Sequence, residues 1–191
     1  MAEAVWRVLA THGFDGLTMR AVAAQLDAST GLLTHYFTNK RELVRYANEI
    51  AAARTEARAR ITPDEPGFAA LRAALVDVLP VTPDSVAMSR VWVSFWDAAL
   101  DDEQLSAAQR ARYERWRGRL TACVEEAQTR GELPLSPTAE DVAVEAAAFA
   151  HGLVVQALFD PSRLPAARQL ALLDNFLAGL TGRLLPPRQP T

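Results

Sequence analysis

The sequence has few of the residues on which catalytic and metal-binding sites depend. Its 191 residues include a single cysteine, Cys123, and three histidines, His12, His35 and His151. One cysteine excludes an intramolecular disulfide framework and a thiolate-rich metal site, and the histidines lack the spacing of metal ligands. Cys123 lies beside two glutamates, which should raise the pKa of its thiol, and the sequence contains no glycine-rich phosphate loop. We therefore expect a protein that is not an enzyme and that needs no metal and no cofactor.

Excess positive charge and long apolar runs are also missing. The chain carries 20 Lys and Arg against 23 Asp and Glu, a formal net charge of −3, so any basic surface must be local. No run approaches the roughly 20 apolar residues of a membrane span, and the first residues lack the basic region of a secretory signal. With the single cysteine, these features favour a soluble, cytoplasmic protein.

Strand-like alternation is absent as well, so the periodicity is helical throughout and the expected fold class is all-α. Glycines, prolines and capping residues divide the chain into predicted helices. There are nine of them: Ala2–His12, Met19–Leu26, Thr30–Phe37, Lys40–Ile61, Phe68–Leu79, Asp84–Leu100, Asp102–Arg130, Thr138–Phe159 and Ala166–Leu185. A turn cluster with two prolines, at residues 62–67, marks a boundary, and the tail at residues 186–191 is expected to be disordered.

The second and third predicted helices are joined by only three residues, as in a helix-turn-helix. Thr18 can cap the second helix and Ser29 the third. Leu33 and Phe37 lie four apart and should anchor the third helix to the second, which leaves the opposite face outward. The residues that we expect to contact DNA are Thr18, Arg20, Ser29, Thr30, Gly31, Leu32, Thr34, His35, Tyr36 and Lys40.

This outward face carries hydroxyls, a histidine, a tyrosine and a terminal lysine, which suit DNA phosphates and base edges. Gly31 would allow close approach of the backbone, and Lys40 with the start of its helix could hold one phosphate. The alternative is a short helical hairpin packed inside an all-α protein. A buried hairpin would not be expected to carry Thr34, His35 and Tyr36 so close to Gly31.

The same segment resembles the DNA-binding domain of the tetracycline-repressor (TetR) family. The family pattern is met by Gly13-Phe14, Thr18, Val22-Ala23, Ser29, Gly31, Tyr36-Phe37 and Lys40. The resemblance covers about the first 50 residues and implies a homodimeric transcriptional regulator, usually a repressor, with a helical effector-binding domain behind its reading head. On this basis residues 1–48 are the DNA-binding domain and residues 49–191 the effector-binding and dimerisation domain, with the helix at 40–61 bridging the two.

Three departures from the family pattern concern the strength of DNA binding. Asp27 stands where the family usually has the turn glycine, and Asp tolerates left-handed backbone angles better than most residues. Thr34 replaces the usual tyrosine, which removes one expected phosphate contact. No basic residue precedes the first helix, so a minor-groove arm is missing from the sequence given. We therefore expect modest operator affinity.

A second resemblance begins at Val91. The stretch WVSFWDAALDD and the segments RYERW and GEL that follow it are similar to the C-terminal domain of BetI-like regulators, the branch that includes the choline-responsive repressor. Within this half, the residues that could bind an effector are Trp92, Phe95, Trp96, Asp97 and His151. The aromatic rings could hold a cation over their faces. The alternatives are that tryptophans at helical spacing form core and that His151 is a satisfied buried histidine.

The last two helices could form a four-helix dimer interface by close ridge packing, which is the family's usual arrangement. The residues expected there are Ala147, Ala150, Val154, Leu173, Phe176, Leu177 and Leu180. The alternative is that the same faces pack within one chain. A palindromic operator demands two-fold symmetry, which favours the dimer.

These features together predict a homodimeric, sequence-specific DNA-binding regulator, a repressor released when a small-molecule effector changes the separation of its two reading heads. The helix at 40–61 is where we expect the coupling. A constitutive DNA-binding protein without an effector and a helical protein-interaction module are the alternatives. A gel shift, with and without effector, separates these three functions.

Overall fold

The computed structural model of the chain describes residues 1–58 and 65–182. Within these ranges all regular structure is helical, which confirms the all-α fold class. The helices are α1 Ala2–His12, α2 Met19–Gln25, α3 Thr30–Tyr36, α4 Lys40–Ala57, α5 Phe68–Val76, α6 Pro83–Leu100, α7 Glu103–Thr129, α8 Ala139–Phe159 and α9 Ala166–Thr181. The predicted end of the fourth helix at Ile61, the start of the turn cluster, the end of the last helix at Leu185 and the tail at 186–191 lie outside the described residues.

Capping side chains fix most of the helix starts in the DNA-binding segment. Thr18 Oγ1 accepts a hydrogen bond from Ala21 N at 3.0 Å, and Asn39 Oδ1 accepts one from Glu42 N at 3.0 Å, as capping predicts. Ser29 occupies the N-cap of α3, but its side chain makes no capping hydrogen bond. The expected role of Ser29 as a side-chain cap is therefore corrected, and its hydroxyl is not engaged in holding the helix.

The helices pack into two compact units. Unit 1 contains residues 1–58 and 82–111, and unit 2 contains residues 65–81 and 112–182. Unit 1 extends beyond residue 48, the domain boundary that the sequence suggests, because α6 packs against α1 and α4. Unit 1 therefore contains the predicted DNA-binding domain, residues 1–48, together with α6 and other residues that the prediction assigned to the second domain.

The core of unit 1 joins the reading head to α6. Phe14, which follows the glycine that ends α1, is 2% exposed, and its ring centroid lies 4.9 Å from that of Phe95. Gly13 has φ 65°, and a Cβ there would lie 2.9 Å from Ser94, so this turn requires glycine for both its backbone angle and its space. The Ser94 hydroxyl accepts a hydrogen bond from Phe14 N at 3.2 Å.

The core of unit 2 lies among α5, α8 and α9. Leu71, Leu173 and Leu177 are at most 1% exposed, and the rings of Phe149 and Phe176 stack at 4.3 Å. On the surface of this unit, Arg72 Nε donates to Asp174 Oδ1 at 2.6 Å. Burial of the leucines supplies most of the stabilisation, since an exposed ion pair contributes little.

Among the described helices, α8 is long and apolar enough to cross a membrane by length and composition alone, which the sequence analysis did not expect. Its 21 residues include a window with a mean hydropathy of 1.7. The many alanines account for the difference, because they raise the mean hydropathy without forming a run of large apolar side chains. Ala143, Ala146 and Ala150 are fully buried in unit 2, so α8 is a core helix of this unit.

Candidate nucleic-acid interface and effector site

The reading helix α3 is anchored by its apolar face. Leu33 on α3 and Val22 on α2 are fully buried, and Phe37, at the C-cap of α3, is 7% exposed. The Phe37 ring lies 5.3 Å from that of Tyr46 on α4. Two neighbouring helices therefore fix the orientation of a helix of only seven residues, which is too short to be stable alone.

The opposite face of the segment is exposed. Every residue predicted to contact DNA is in the exposed class, and none of them is taken up by the core: Thr18, Arg20, Ser29, Thr30, Gly31, Leu32, Thr34, His35, Tyr36 and Lys40. Tyr36 is 61% exposed, and its ring meets that of His35 edge to face at 5.7 Å. The exposed face therefore carries hydroxyl, imidazole and phenol groups, which are of the kind that contact DNA in the major groove.

The hydroxyl groups of this face are not equivalent. Thr18 Oγ1 caps α2 through Ala21 N, and Thr34 Oγ1 donates to the Gly31 carbonyl at 3.0 Å. Thr34 therefore uses its hydrogen within α3, in line with the loss of a phosphate contact at this position. The Ser29 hydroxyl, in contrast, makes no capping hydrogen bond.

The start of α4 is less open to a phosphate than the sequence suggests. Asn39 Oδ1 already accepts the hydrogen bond from Glu42 N, and the Glu42 carboxylate accepts one from Thr38 N at 2.7 Å. This backbone hydrogen bond from Thr38 lowers the pKa of Glu42 and so keeps a negative charge in the first turn. The Lys40 side chain, by contrast, is exposed.

The turn between α2 and α3 adopts the geometry that the family glycine would provide. Asp27 has φ 51°, a left-handed conformation, and is the one non-glycine residue with positive φ among those that the structure describes. Asp tolerates such an angle better than most residues, as expected from the sequence. The replacement of glycine by Asp therefore preserves the turn.

The aromatic residues of α6 are divided between core and surface. Phe95 is fully buried and its ring packs against those of Phe14 at 4.9 Å and Trp92 at 5.8 Å, so it belongs to the core of unit 1. Trp92 is half-buried, and its Nε1 donates to Thr55 Oγ1 on α4 at 3.1 Å. Trp96 is half-buried and Asp97 exposed. Phe95 therefore has no surface for an effector, contrary to expectation.

His151 lies in unit 2 among aromatic residues of α7. Its ring centroid is 4.8 Å from that of Trp116 and 5.2 Å from that of Tyr113. Burial, assisted by the charge of Arg112, lowers the pKa of His151 to about 4, and burial lowers the pKa of Arg112 to about 10. The imidazole is therefore neutral and the guanidinium charged at neutral pH. The sequence does not indicate these α7 contacts, because Tyr113 and Trp116 lie in a stretch rich in arginine, residues 110–119, that is typical of a solvated helix face.

Most residues expected at the dimer interface are buried within one chain. Ala147, Ala150, Val154, Leu173, Leu177 and Leu180 are at most 6% exposed. Phe176 is half-buried and stacks on Phe149. These residues form the core of unit 2, as the intramolecular alternative holds, and they retain too little surface to make a large interface with a second chain.

The accessible side of α8 and α9 carries different apolar residues. Val144 is 47% and Phe159 82% exposed. A shallow groove with a cavity volume of about 510 Å³ lies at the end of α8 and the start of α9. Its lining residues are Val155, Gln156, Phe159, Asp160, Arg163, Leu164, Arg168 and Leu172.

An ion pair that the sequence did not reveal ties the start of α4 to the start of α7. Arg41 Nε lies 2.6 Å from Asp102 Oδ2, and the other carboxylate oxygen of Asp102 accepts hydrogen bonds from Gln104 N at 2.9 Å and Leu105 N at 3.2 Å. The hydrogen bond from Arg41 lowers the pKa of Asp102. The Asp just before Glu103 predicts a helix cap, but nothing in the sequence indicates its partner.

Two features of the described residues bear on metal binding and catalysis: the grouping of possible metal ligands and the environment of Cys123. Its residues contain no group of three or more His, Cys, Asp and Glu that could hold a metal ion. Cys123 is half-buried and its pKa is raised by burial. Burial, not the neighbouring glutamates, is the cause of this shift, although its direction is the predicted one.

An anchored α3 with an exposed polar face defines a helix-turn-helix DNA-binding protein. Comparison with known families places the chain within that class. Residues 3–47 match the bacterial regulatory proteins of the tetR family, and residues 68–182 match the C-terminal domain of BetI-type transcriptional repressors. The chain belongs to the TetR family of transcriptional regulators, with a BetI-type C-terminal domain.

Individual relatives extend over almost the whole chain. The HTH-type transcriptional regulator BetI of Burkholderia mallei is 28% identical over 193 residues, covering 98% of this chain and 93% of that protein. A transcriptional regulator from Rhodococcus sp. Rha1 has a TM-score of 0.82 at 24% identity, with 97% of each chain covered. A transcriptional regulator from Saccharomonospora viridis, solved in complex with choline, has a TM-score of 0.77 at 18% identity, with 93% of each chain covered. At these identities the structures show the shared fold.

Proposed function

We propose that the chain is a homodimeric, cytoplasmic repressor that binds a palindromic DNA operator and is released by a small-molecule effector. The observation that carries this proposal is the division of α3 into a buried face, with Leu33, and an exposed face, with Thr30, His35 and Tyr36. The membership of the TetR family supports it. These polar side chains are exposed and do not contribute to the core of the chain, so a role in binding a partner accounts for them better than a role in folding.

The residues of the exposed face have distinct roles in this proposal. Thr30, Gly31 and Leu32 form the first turn of α3, which in a helix-turn-helix lies closest to the base edges. Tyr36 and Lys40 lie further along and contact phosphates, which fix the register of the protein on the duplex. His35, next to Tyr36, is placed to contact either a phosphate or a base.

The dimer brings two α3 helices to one face of the DNA. Two half-sites lie about one helical turn, roughly 34 to 36 Å, apart. The surface that we assign to the dimer is the accessible side of α8 and α9, where Val144 and Phe159 are exposed. Burying such apolar side chains against a second copy of the chain favours association.

The effector is a small molecule bound by the C-terminal domain. Trp92, Trp96 and Asp97 in unit 1 are one candidate set of contacts, with Phe95 packed against Trp92, and His151 in unit 2 is a separate candidate. Choline is the first compound to test, because one structural neighbour was solved with it and because tryptophan faces bind quaternary ammonium groups. A change in the separation of the two α3 helices would then release the operator.

The decisive experiment selects a binding sequence from random DNA with the full-length protein. We expect an enriched palindrome that gives a gel shift at low salt, and weaker binding, seen as a shift that needs more protein, in Tyr36→Ala and Lys40→Ala variants. Leu135→Ala, which alters an exposed loop residue, is the matched control and should bind as the wild type does. If no sequence is enriched at low salt, the DNA-binding function is disproved and a protein-interaction role takes its place.

The effector is tested in the same gel shift with a panel of small molecules that begins with choline. Relief of the shift by one compound, and quenching of tryptophan fluorescence that Trp92→Phe or Trp96→Phe reduces, support the effector-released repressor. A shift that no compound relieves indicates a constitutive DNA-binding protein. Sedimentation measures whether the bound species is the expected dimer.

A further inference from the structure

Two large apolar side chains are exposed on the reading helix. Leu32 is 43% and Tyr36 61% exposed, and because they lie four residues apart they share one face of α3. The other exposed large apolar residues that the structure describes lie elsewhere in the chain: Leu100, Leu135, Val144 and Phe159. The reading face therefore combines an apolar patch with its hydroxyl groups.

Leu32 contributes little to the fold. Its neighbour Leu33 is fully buried and anchors α3, whereas Leu32, about 100° around the helix from it, lies outside the buried core. A single exposed leucine is ordinary on a protein surface. Its position is what makes it informative, because the third residue of α3 lies in the half of a reading helix that approaches the bases.

The backbone at this point allows close approach. Gly31 precedes Leu32, and the nearest atom to a Cβ placed there would be Ser29 Oγ at 3.6 Å, so the protein itself does not require glycine for space. Leu32 is flanked by Gly31 on one side and by the buried anchor Leu33 on the other. Its side chain is therefore held at the surface with no bulky neighbour in the first turn of the helix.

A leucine side chain has no hydrogen-bonding group, so it can recognise a base edge only by apolar contact. The 5-methyl group of thymine is the apolar group that a base pair presents in the major groove. We propose that Leu32 reads a thymine in each operator half-site through contact with this methyl group, which makes Leu32 a specificity-determining residue. This inference rests on the proposed DNA-binding function.

The test uses the operator obtained by selection, with each thymine of a half-site replaced in turn by deoxyuridine, which lacks only the methyl group. One replacement in each half-site withdraws two methyl groups from the complex and should weaken wild-type binding roughly 15-fold, about four-fold for each methyl group. Leu32→Ala should bind the thymine and deoxyuridine operators equally well. The control Leu100→Ala, at another exposed leucine, should discriminate as the wild type does.

The outcomes separate this inference from the proposed function. If no sequence is enriched in the selection, the proposed function fails, and the reading by Leu32 fails with it. If an operator is found but contains no thymine in its half-sites, or if no replacement weakens wild-type binding, the function stands and the inference is overturned. Equal sensitivity of the wild type and Leu32→Ala to deoxyuridine also overturns it, since the methyl group would then be read by another residue.

Discussion

Two helices of unit 1 carry predicted site residues: α3 carries DNA contacts and α6 carries effector contacts. The two sets differ in how far they are buried. Helix α3 has seven residues and presents its predicted contacts to solvent while Leu33 holds it in place. Helix α6 has 18 residues, and it buries Phe95 completely and binds the Trp92 indole to Thr55. The predicted site residues of α3 are therefore exposed, whereas two of the aromatic residues predicted on α6 pack against other parts of the chain.

The difference follows from the side-chain types. Hydroxyl, imidazole and lysine groups are costly to bury without partners, so a cluster of them beside a glycine predicts a surface. Aromatic rings at helical spacing predict only an apolar environment, and a protein core and a ligand pocket meet that condition equally well. Polar patterns therefore locate a site more reliably than aromatic ones do.

The largest expected effect tests the core assignment on α6. Phe95→Ala should lower the free energy of unfolding by about 3–5 kcal/mol, because it removes a fully buried ring and leaves a cavity. Urea unfolding followed by circular dichroism measures it. Leu100→Ala, on the same helix but 83% exposed, is the control and should change stability by less than about 0.5 kcal/mol. If Phe95→Ala is stable but no longer responds to the effector, Phe95 contacts the effector and is not primarily a core residue.

The second prediction concerns His151, the site residue of unit 2. Its pKa is about 4 in the folded chain and about 6.5 when unfolded, so the unfolded chain binds more protons between these values. Stability should therefore fall as the pH falls, by roughly 2 kcal/mol between pH 7 and pH 5. The carboxylates with lowered pKa values are Glu42, Asp102, Glu132 and Asp174. They lose their contributions mainly below about pH 5, because carboxylates in the unfolded chain titrate near about 4.

Urea unfolding at the two pH values measures the effect, and His151→Gln is the matched variant because its side chain does not titrate. The variant should lose less stability than the wild type between pH 7 and pH 5. An equal loss in both proteins would show that the imidazole is not the responsible group. Titration of the wild-type His151 ring by NMR then gives its pKa directly.

The sequence predicted the helices and the reading face of α3 but not the contacts between helices. Caps such as Thr18 and Asn39 are local signals, so helix starts follow from the residues themselves. The burial of Phe95 depends on Phe14, 81 positions away in the chain. The pairing of Asp102 depends on Arg41, 61 positions away. Six of the seven named dimer residues are buried within the chain, which the sequence left open because a helix with small residues on two faces does not reveal which face packs within its own chain.

The third prediction separates stability from DNA binding at Gly31. Gly31→Ala should stabilise the fold by about 0.5 kcal/mol, because glycine in a helix costs backbone entropy and a Cβ there meets only Ser29 Oγ at 3.6 Å. The same methyl group should reduce operator affinity about ten-fold if the backbone approaches the bases closely. Gly118→Ala on α7, where a Cβ meets nothing within 4 Å, should stabilise without affecting DNA binding. Unchanged operator affinity in Gly31→Ala would show that α3 does not approach the bases through this residue.

The smallest effect compares two adjacent cations at the start of α4. Lys40 is exposed, whereas the Arg41 guanidinium is held by Asp102 at 2.6 Å. Lys40→Ala should reduce the slope of log affinity against log salt by about 0.9 for each phosphate contact that is lost. Arg41→Ala should leave that slope unchanged and lower stability only slightly, because exposed ion pairs contribute little and are screened by salt. Filter binding over a range of salt concentrations measures both slopes. A reduced slope in Arg41→Ala would mean that the ion pair with Asp102 breaks when DNA binds. Arg41 would then contact DNA, as we propose for the exposed residues of α3.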